Sequence, residues 1–266
     1  MNLEFRHGLH SIGIADREHR RRIAQFAVIA ILILSIEFLP RFGLVARTTL
    51  IPLSEMFSHM LSLVASGEIL PHVRQTLTAI LAAYTLAVTT GVPTGVLLWK
   101  YDTLKDVLDP YLLTFYAVPI FAFYPLLISI LGLNILPIIV IAWLFSVIII
   151  VTNTASGLNE IPDIYPKVGH DLNLSRLKLF RYVYLPAATP YVFSGLKLGF
   201  IYALIGTVAS EFILATEGLG WLISFHYDSF DIQTMYAAML FVILFSLAVN
   251  VGLILVERQL YRRAST

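Results

Sequence analysis

Apolar runs that are each long enough to cross a lipid bilayer recur along most of the sequence. A helix of about 17 to 25 apolar residues is enough for one crossing. Charged residues make up only 13% of the 266 residues and hydrophobic ones 58%, whereas a soluble protein carries about 25% charged residues. Soluble domains could not bury so much apolar sequence. The chain is therefore predicted to be an all-α, polytopic membrane protein with six transmembrane helices.

The division of the chain follows from where these runs begin and end. The predicted spans cover residues 23–40, 73–99, 110–131, 135–152, 191–214 and 232–256. The regions are a basic arm (1–22), the first span (23–40), an external connection (41–71), a five-helix core (72–256) that contains a loop at 153–190, and a tail (257–266). Apolar residues at helical spacing from Leu53 to Val64 predict a surface helix in the external connection. The basic arm is interpreted as a topogenic flank in preference to a nucleic-acid-binding segment, because an apolar run follows it directly.

Lys and Arg residues are concentrated on one side of the predicted spans. With both termini in the cytosol, fourteen of the 18 lie inside: five in the arm, two at 100–105, four in the 153–190 loop and three in the tail. Three lie outside, namely Arg41, Arg47 and Arg74. Lys197 begins the fifth span, within snorkelling reach of the cytosol. The positive-inside rule therefore predicts cytoplasmic termini and a cytoplasmic loop.

The one long polar interval of the sequence runs from Ile161 to Gly195 and is called the polar segment below. A connection of this length rarely lacks structure of its own. Asp163 is a candidate N-cap, and apolar residues recur every four positions from Ile164 to Leu172, so a short amphipathic helix is predicted there. Asn173 can adopt the left-handed conformation that ends such a helix.

A second helix of the polar segment is predicted from Arg176 to Tyr184. Ser175 stands at its N-cap position, where a hydroxyl can accept a hydrogen bond from the first turn. Pro186 and Pro190 are expected to stop this helix. The segment is therefore predicted to be a helix–turn–helix between two spans, polar enough to face the cytosol and apolar enough on one side to dock onto a partner.

A fixed frame of residues runs through the polar segment. It holds Lys167-Val168-Gly169, three residues, Asn173, nine residues, and then Val183-Tyr184-Leu185-Pro186. This frame resembles the cytoplasmic loop of permease subunits of binding-protein-dependent ABC importers, which reads Glu-Ala-Ala, three residues, Gly, nine residues and Ile-x-Leu-Pro. Lys167 stands where the family has Glu, and Asn173 stands where it has Gly.

A second stretch places the resemblance within that family. The residues Leu185-Pro186-Ala187-Ala188-x-Pro190-Tyr191 and Ser194-Gly195-Leu196-Lys197 are similar to the nitrate/taurine (sulfonate) type of inner-membrane component. The resemblance continues from about Gly67 to the C-terminus and includes Gly218-Leu219-Gly220. It implies the MetI-like core of a type I ABC importer permease in a bacterial inner membrane.

The resemblance also implies partners and a coupling site. The partners would be a dimer of ABC ATPase subunits, an extracytoplasmic substrate-binding protein and a second permease copy in a homodimer. The solute would be a sulfonate, nitrate or a thiamine precursor. The residues implied to couple the permease to its ATPase are Lys167, Val168, Gly169, Leu172, Asn173, Leu174 and Pro186. Val168, Leu172 and Leu174 would supply the apolar docking face.

Motifs for ATP hydrolysis and for metal binding are absent from the sequence. No Gly-x4-Gly frame is followed by Lys-Ser or Lys-Thr, and there is no cysteine. The chain is therefore expected to be no enzyme and to hold no cofactor or metal itself. ATP and Mg would be bound by the partner ATPase.

Glu211 is the most informative ionisable residue within a predicted span. A carboxylate at membrane depth by default faces the bundle interior or water. One interpretation places it with Thr207 and Ser210 along the translocation route, together with Pro119 in the third span. The alternative is a Glu near the interface that reaches external water, since Thr216 follows five residues later.

Two other classes of function are weighed against the importer. An ion-coupled secondary carrier would need several buried acids, and only Glu211 qualifies. A membrane-embedded transferase would need clustered Asp or His side chains at a membrane face. The nearest cluster is Asp102, Asp106 and Asp109, which is more simply a solvated flank in a short turn.

Overall fold

Every regular element that the structure describes is helical, in agreement with the predicted all-α class. The structure is a computed structural model that describes residues 4–264. The first three residues of the predicted arm and the last two of the predicted tail lie outside the described residues. The α-helices are α1 (Glu4–Arg41), α2 (Leu53–Ala65), α3 (Leu70–Lys100), α4 (Asp102–Ala117), α5 (Tyr124–Leu131), α6 (Ile135–Asn159), α7 (Ile164–Asp171), α8 (Arg176–Leu179), α9 (Leu185–Leu214), α10 (Leu219–Asp228) and α11 (Ile232–Ala264).

Among residues 4–264, five helical segments are long and apolar enough to cross a membrane. They are Ile23–Arg41, Leu70–Lys100, Ile135–Asn159, Arg176–Ile213 and Ile232–Gln259. These correspond to the predicted spans 1, 2, 4, 5 and 6. The predicted surface helix is also present, as α2.

The predicted third span, residues 110–131, is not one continuous helix. After α4 the chain is extended at Val118 (ψ 127°) and Pro119 (ψ 89°), passes through a 3₁₀ turn at Ile120–Phe123 and continues as α5. The physical reason is Pro119, because a proline disfavours the helical conformation of the residue before it. The predicted span over 110–131 is thus interrupted at Val118 and Pro119, and its crossing of the membrane stays a prediction.

Helix α6 occupies the centre of the bundle and packs along both α3 and α9. Small residues bring the backbones close together. A Cβ at Gly95 of α3 would lie 2.6 Å from Cβ of Thr154, and one at Gly199 of α9 would lie 2.6 Å from Cγ1 of Ile150. The absence of a side chain at Gly95 and Gly199 therefore permits the close approach of α3 and α9 to α6.

The order of these contacts gives the relative direction of the helices. Gly91 of α3 meets Ile150, and Gly95 meets Thr154, so residue numbers rise together and α3 runs parallel to α6. On α9 the order is reversed, because Gly195 meets Asn153 and Gly206 meets Ala142. Helix α9 is therefore antiparallel to α6.

Polar contacts attach the outer helices to this bundle. Glu37 near the end of α1 accepts hydrogen bonds from the amide and the hydroxyl of Ser54, both at 2.9 Å, and so connects α1 to the start of α2. Lys197 of α9 pairs with Glu257 of α11 at 2.7 Å. This ion pair gives the predicted snorkelling lysine a specific partner at the far end of the last span.

Candidate functional site

The polar segment folds into α7, a tight turn and the first part of a long helix. Asp163 occupies the N-cap position of α7, but its backbone is helical (φ −56°, ψ −20°) and its side chain makes no capping hydrogen bond. The prediction that Asp163 caps this helix is therefore wrong. Asn173 has φ +53°, which confirms the predicted left-handed end of the helix.

The second predicted helix does not stop at Pro186 or Pro190. Helix α8 leads through a π-helical turn at Phe180–Tyr184 directly into α9, and the helical segment continues to Ile213. Pro186 lies in the first turn of α9, just after the π turn. A proline lacks the N–H that an α-helix needs, and the hydrogen-bond pattern of this helix changes in the π turn directly before Pro186. The expected helix–turn–helix is thus a helix, a turn and the beginning of the fifth span.

An apolar groove opens beside α7. Its volume is about 630 Å³, and it is lined by Ile164, Tyr165, Val168, Gly169, Leu172, Leu174, Tyr182, Val183, Pro186 and Ala187. The side chains on the α7 face are strongly exposed: 62% for Ile164, 49% for Val168 and 68% for Leu172. Five of the predicted coupling residues therefore line one groove. Lys167 and Asn173 are exposed but do not line it.

Gly169 also has a packing role between α7 and α8 that was not predicted from the sequence. It is buried, and a Cβ added there would collide with the Leu179 side chain. The absence of a side chain thus lets α7 lie directly against α8, and α8 continues into the π turn and the start of α9, which supply the other groove wall. A glycine inside an amphipathic helix is the sequence signal for such a close approach.

Glu211 lies at the other end of α9 and is completely buried. The hydroxyl of Thr76 on α3 lies 2.9 Å from Oε1 and 2.8 Å from Oε2 of Glu211. The backbone N–H of Gly220 donates to Oε2 at 3.0 Å. The alternative in which Glu211 reaches external water does not agree with its burial in this structure.

Three side chains from α3 and α9 meet the first turn of α10 and are called the capping cluster: His72, Thr76 and Glu211. The N–H of Gly218 points to Nδ1 of His72 at 3.3 Å, and the N–H of Leu219 donates to Oγ1 of Thr76 at 2.9 Å. With the Gly220 bond to Glu211, three amides that the start of a helix leaves unpaired find partners on other helices. The cluster therefore fixes α10 on the bundle.

Both glycines of the Gly218-Leu219-Gly220 motif lie where a side chain would not fit. Gly218 has φ +112°, a region that is nearly closed to other residues, and a Cβ there would collide with the Glu211 carboxylate. A Cβ at Gly220 would collide with the carbonyl oxygen of Val208. Both glycines are thus needed for α10 to approach α9 this closely.

The other residues predicted for the translocation route have different environments. Thr207 and Ser210 are completely buried, and their hydroxyls find no hydrogen-bond partner within residues 4–264. Pro119 is exposed at the break between α4 and α5. The structure thus places Thr207, Ser210 and Glu211 in the interior of the chain's helix bundle and Pro119 on its surface. Their role in a route stays a prediction.

Comparison with known proteins shows a consistent set of relatives. Residues 87–266 match the family described as binding-protein-dependent transport system inner membrane component. The nitrate import permease protein NrtB of Synechocystis sp. is 28% identical over 62% of this chain, which spans 60% of that protein. The taurine transport system permease protein TauC of Escherichia coli is 25% identical, with 71% and 69% covered. The riboflavin transport system permease protein RibX of Chloroflexus aurantiacus is 31% identical, with 74% of each chain covered.

Solved structures show the same fold. An inward-facing structure of the MetNI methionine ABC transporter matches with a TM-score of 0.64 at 17% identity, covering 72% of this chain and 95% of that one. A crystal structure of an amino acid ABC transporter matches with a TM-score of 0.62 at 17% identity, covering 75% and 98%. The predicted MetI-like core is therefore present.

Proposed function

Because the chain belongs to the family of binding-protein-dependent transport system inner membrane components, we propose that it is the membrane-spanning permease subunit of an ABC importer. This membership confirms the family predicted from the sequence. It agrees with the expectation that the chain is no enzyme. It also removes the support for an ion-coupled carrier or a membrane-embedded transferase, since neither belongs to this family.

The observation that carries the proposal is the apolar groove beside α7. An amphipathic helix whose apolar face is exposed is suited to docking with a partner protein, and Val168 and Leu172 present that face here. The partner is an ABC ATPase subunit, which binds ATP and Mg in place of this chain. Closure of the ATPase pair on ATP would move two such α7 helices together.

The departures from the family frame are compatible with this docking role. Asn173 has φ +53°, which is the left-handed region that glycine enters freely and that asparagine also tolerates. Lys167 is exposed beside the groove and leaves its apolar lining unchanged. Replacement of an acid by Lys167 reverses one charge, so the matching ATPase surface would carry an acidic residue there.

Six crossings are supported by the direction of the helices. Helices α3 and α6 are parallel, so the chain between Lys100 and Ile135 must return to the side where α3 begins. Helices α4 and α5 with the 3₁₀ turn between them span up to about 44 Å, more than the roughly 30 Å of a bilayer core. We assign the sixth crossing to this broken pair, with both termini and the polar segment in the cytoplasm.

The proposal also names the surface that would contact the binding protein, the oligomeric state and the class of solute. The capping cluster and α10 lie at the opposite end of α9 from the polar segment and would face an extracytoplasmic binding protein. Two copies of the chain would form a homodimer with the translocation route between them. The solute would be nitrate, a sulfonate or a heterocycle such as a thiamine precursor, because the nitrate, taurine and riboflavin permeases among the relatives are similarly related.

The test is co-purification with the ATPase encoded beside this chain. The wild type is expected to retain the ATPase in mild detergent, and Val168→Asp is expected to lose it, because a carboxylate in the apolar groove opposes docking. Leu104→Asp is the matched control, since Leu104 is an exposed apolar residue outside the groove. A wild-type chain that purifies alone would contradict the importer assignment.

A further inference from the structure

A second cavity of about 490 Å³ lies on the side of the polar segment away from the apolar groove. Its lining residues are Val96, Trp99 and Lys100 of α3, His170 of α7, and Arg176, Leu177, Leu179, Phe180 and Tyr184. His170 follows Val168 by two residues, which places it about 200° further around the helix. One short helix therefore contributes to two separate surfaces.

Aromatic rings form the floor of this basic–aromatic cavity. The ring centroid of Trp99 lies 4.7 Å from that of Tyr184, edge to face, and 6.2 Å from that of Phe180. Trp99 and Lys100 end one membrane-spanning segment, and Arg176 begins another. Indole and phenol rings are enriched at the depth of lipid headgroups, so the cavity lies where a headgroup would lie.

The charges that line the cavity are all cationic or imidazole groups. Lys100, His170 and Arg176 are exposed, and no acidic side chain is among the lining residues in the described part of the chain. Among the side chains that the structure describes, the ion pairs involve the basic residues Arg41, Arg47, Lys197 and His226, and neither Lys100 nor Arg176 is paired with an acidic group there. Lys100 and Arg176 therefore remain available for an anion.

We propose that this basic–aromatic cavity binds a glycerophospholipid with an anionic headgroup, whose phosphate lies between Lys100 and Arg176 and whose acyl chain follows Val96 and Trp99. Basic pockets between membrane helices commonly bind such headgroups. A small soluble anion would make no use of the large apolar part of the lining. The proposal goes beyond solute transport and holds whichever side of the membrane the cavity faces.

The bound lipid has a structural consequence. It would contact α3 on one side and α7 with α8 on the other. It would therefore hold the polar segment against the core while the opposite face of α7 stays open in the apolar groove.

The experiment is native mass spectrometry of the full chain in detergent, titrated with dioleoylphosphatidylglycerol or dioleoylphosphatidylcholine. The double variant Lys100→Gln/Arg176→Gln is compared with Lys105→Gln/Arg181→Gln, which removes the same charge outside the cavity. Each lost cation is expected to weaken phosphatidylglycerol binding about fivefold, so the cavity variant loses roughly 25-fold and the control less than twofold. Phosphatidylcholine should bind the wild type more weakly than phosphatidylglycerol does, and the cavity variant should lose this difference.

Three results would overturn the proposal. They are equal binding of both lipids by the wild type, equal losses in the two double variants, and displacement of phosphatidylglycerol by millimolar inorganic phosphate, which would indicate a soluble-anion site. A second measurement needs no charge variant. Phosphatidylglycerol brominated on its acyl chains should quench tryptophan fluorescence more than brominated phosphatidylcholine does, and Trp99→Phe should remove that difference.

Discussion

The hydroxyl of Thr76 lies within 2.9 Å of both carboxylate oxygens of Glu211, although the two residues are 135 positions apart in the sequence. Thr76 simultaneously accepts the N–H of Leu219. A single hydroxyl thus connects α3, α9 and α10. The buried Glu211 carboxylate thus helps to hold α10 on the bundle. This structural role can be tested by stability measurements that do not depend on transport.

Removal of the carboxylate is expected to destabilise the end of the bundle where α10 packs on α3 and α9. Glu211→Ala leaves the Gly220 amide and the Thr76 hydroxyl buried without their acceptor, at a cost of about 1–3 kcal/mol. The measurement is the thermal unfolding midpoint in mild detergent. Glu211→Gln, which keeps one acceptor oxygen, should lose less, and the exposed Glu217→Ala should be neutral. An unchanged midpoint for Glu211→Ala together with lost transport would favour the route-lining role.

Gly218→Ala is expected to disturb the same cluster through the backbone. The residue has φ +112°, and a methyl group would collide with the Glu211 carboxylate, so a loss of about 1–3 kcal/mol is expected. Gly252→Ala is the control, because a Cβ there meets no atom within 4 Å. This control should be neutral or slightly stabilising in the same unfolding measurement. Equal effects of the two substitutions would contradict the proposed fit of α10.

Gly169→Val is expected to weaken docking of the ATPase without lowering the stability of the folded chain. The new side chain would collide with the end of the buried Leu179 side chain, so either Leu179 or α7 must move, and the apolar groove would be distorted while the spans remain intact. Retention of the ATPase on the purified chain should fall by tenfold or more, at an unchanged unfolding midpoint. Adding Leu179→Ala makes room for the valine and should restore part of the binding. Failure of this rescue would mean that the groove does not depend on the Gly169 contact.

The stability of the turn between α10 and α11 is expected to depend on pH through Asp231. Burial raises the pKa of this carboxyl, but hydrogen bonds from Thr234 and the interaction with His226 outweigh burial and lower it. The folded pKa therefore lies below the unfolded value of about 3.9. The contribution of Asp231 is present above about pH 4 and is lost as the pH falls through the folded pKa.

Thermal unfolding between pH 6 and pH 3 measures this contribution. The midpoint of Asp231→Asn should decline less steeply below pH 4 than that of the wild type. Asp228→Asn, an exposed neighbour, should follow the wild-type curve. Parallel curves for all three chains would show that Asp231 does not contribute.

Local signals in the sequence predicted much of the polar segment and of the membrane spans. Hydropathy located the five unbroken spans, and the preference of asparagine for the left-handed region located the end of α7 at Asn173. The exposed face of Val168 and Leu172 followed from helical spacing. These features depend on neighbouring residues, so they can be read from a short window.

The features that sequence reasoning missed depend on contacts between distant parts of the chain or on local backbone competition. Nothing near Glu211 indicates that Thr76 would approach it. Pro119 broke the third span, whereas Pro186 did not stop the helix that a π turn carries past it. The same residue type thus gave opposite outcomes, and only the surrounding structure decides between them.

The continuity of the helix from Arg176 to Ile213 has a mechanical consequence. Its 38 residues form a rod about 57 Å long, with the groove-bearing end held by Gly169 and the opposite end fastened to α10 through Glu211. No loop interrupts this helix, and its irregular positions are the π turn at Phe180–Tyr184 and the proline at Pro190. A displacement of α7 would therefore be transmitted along this helix to α10 at its opposite end.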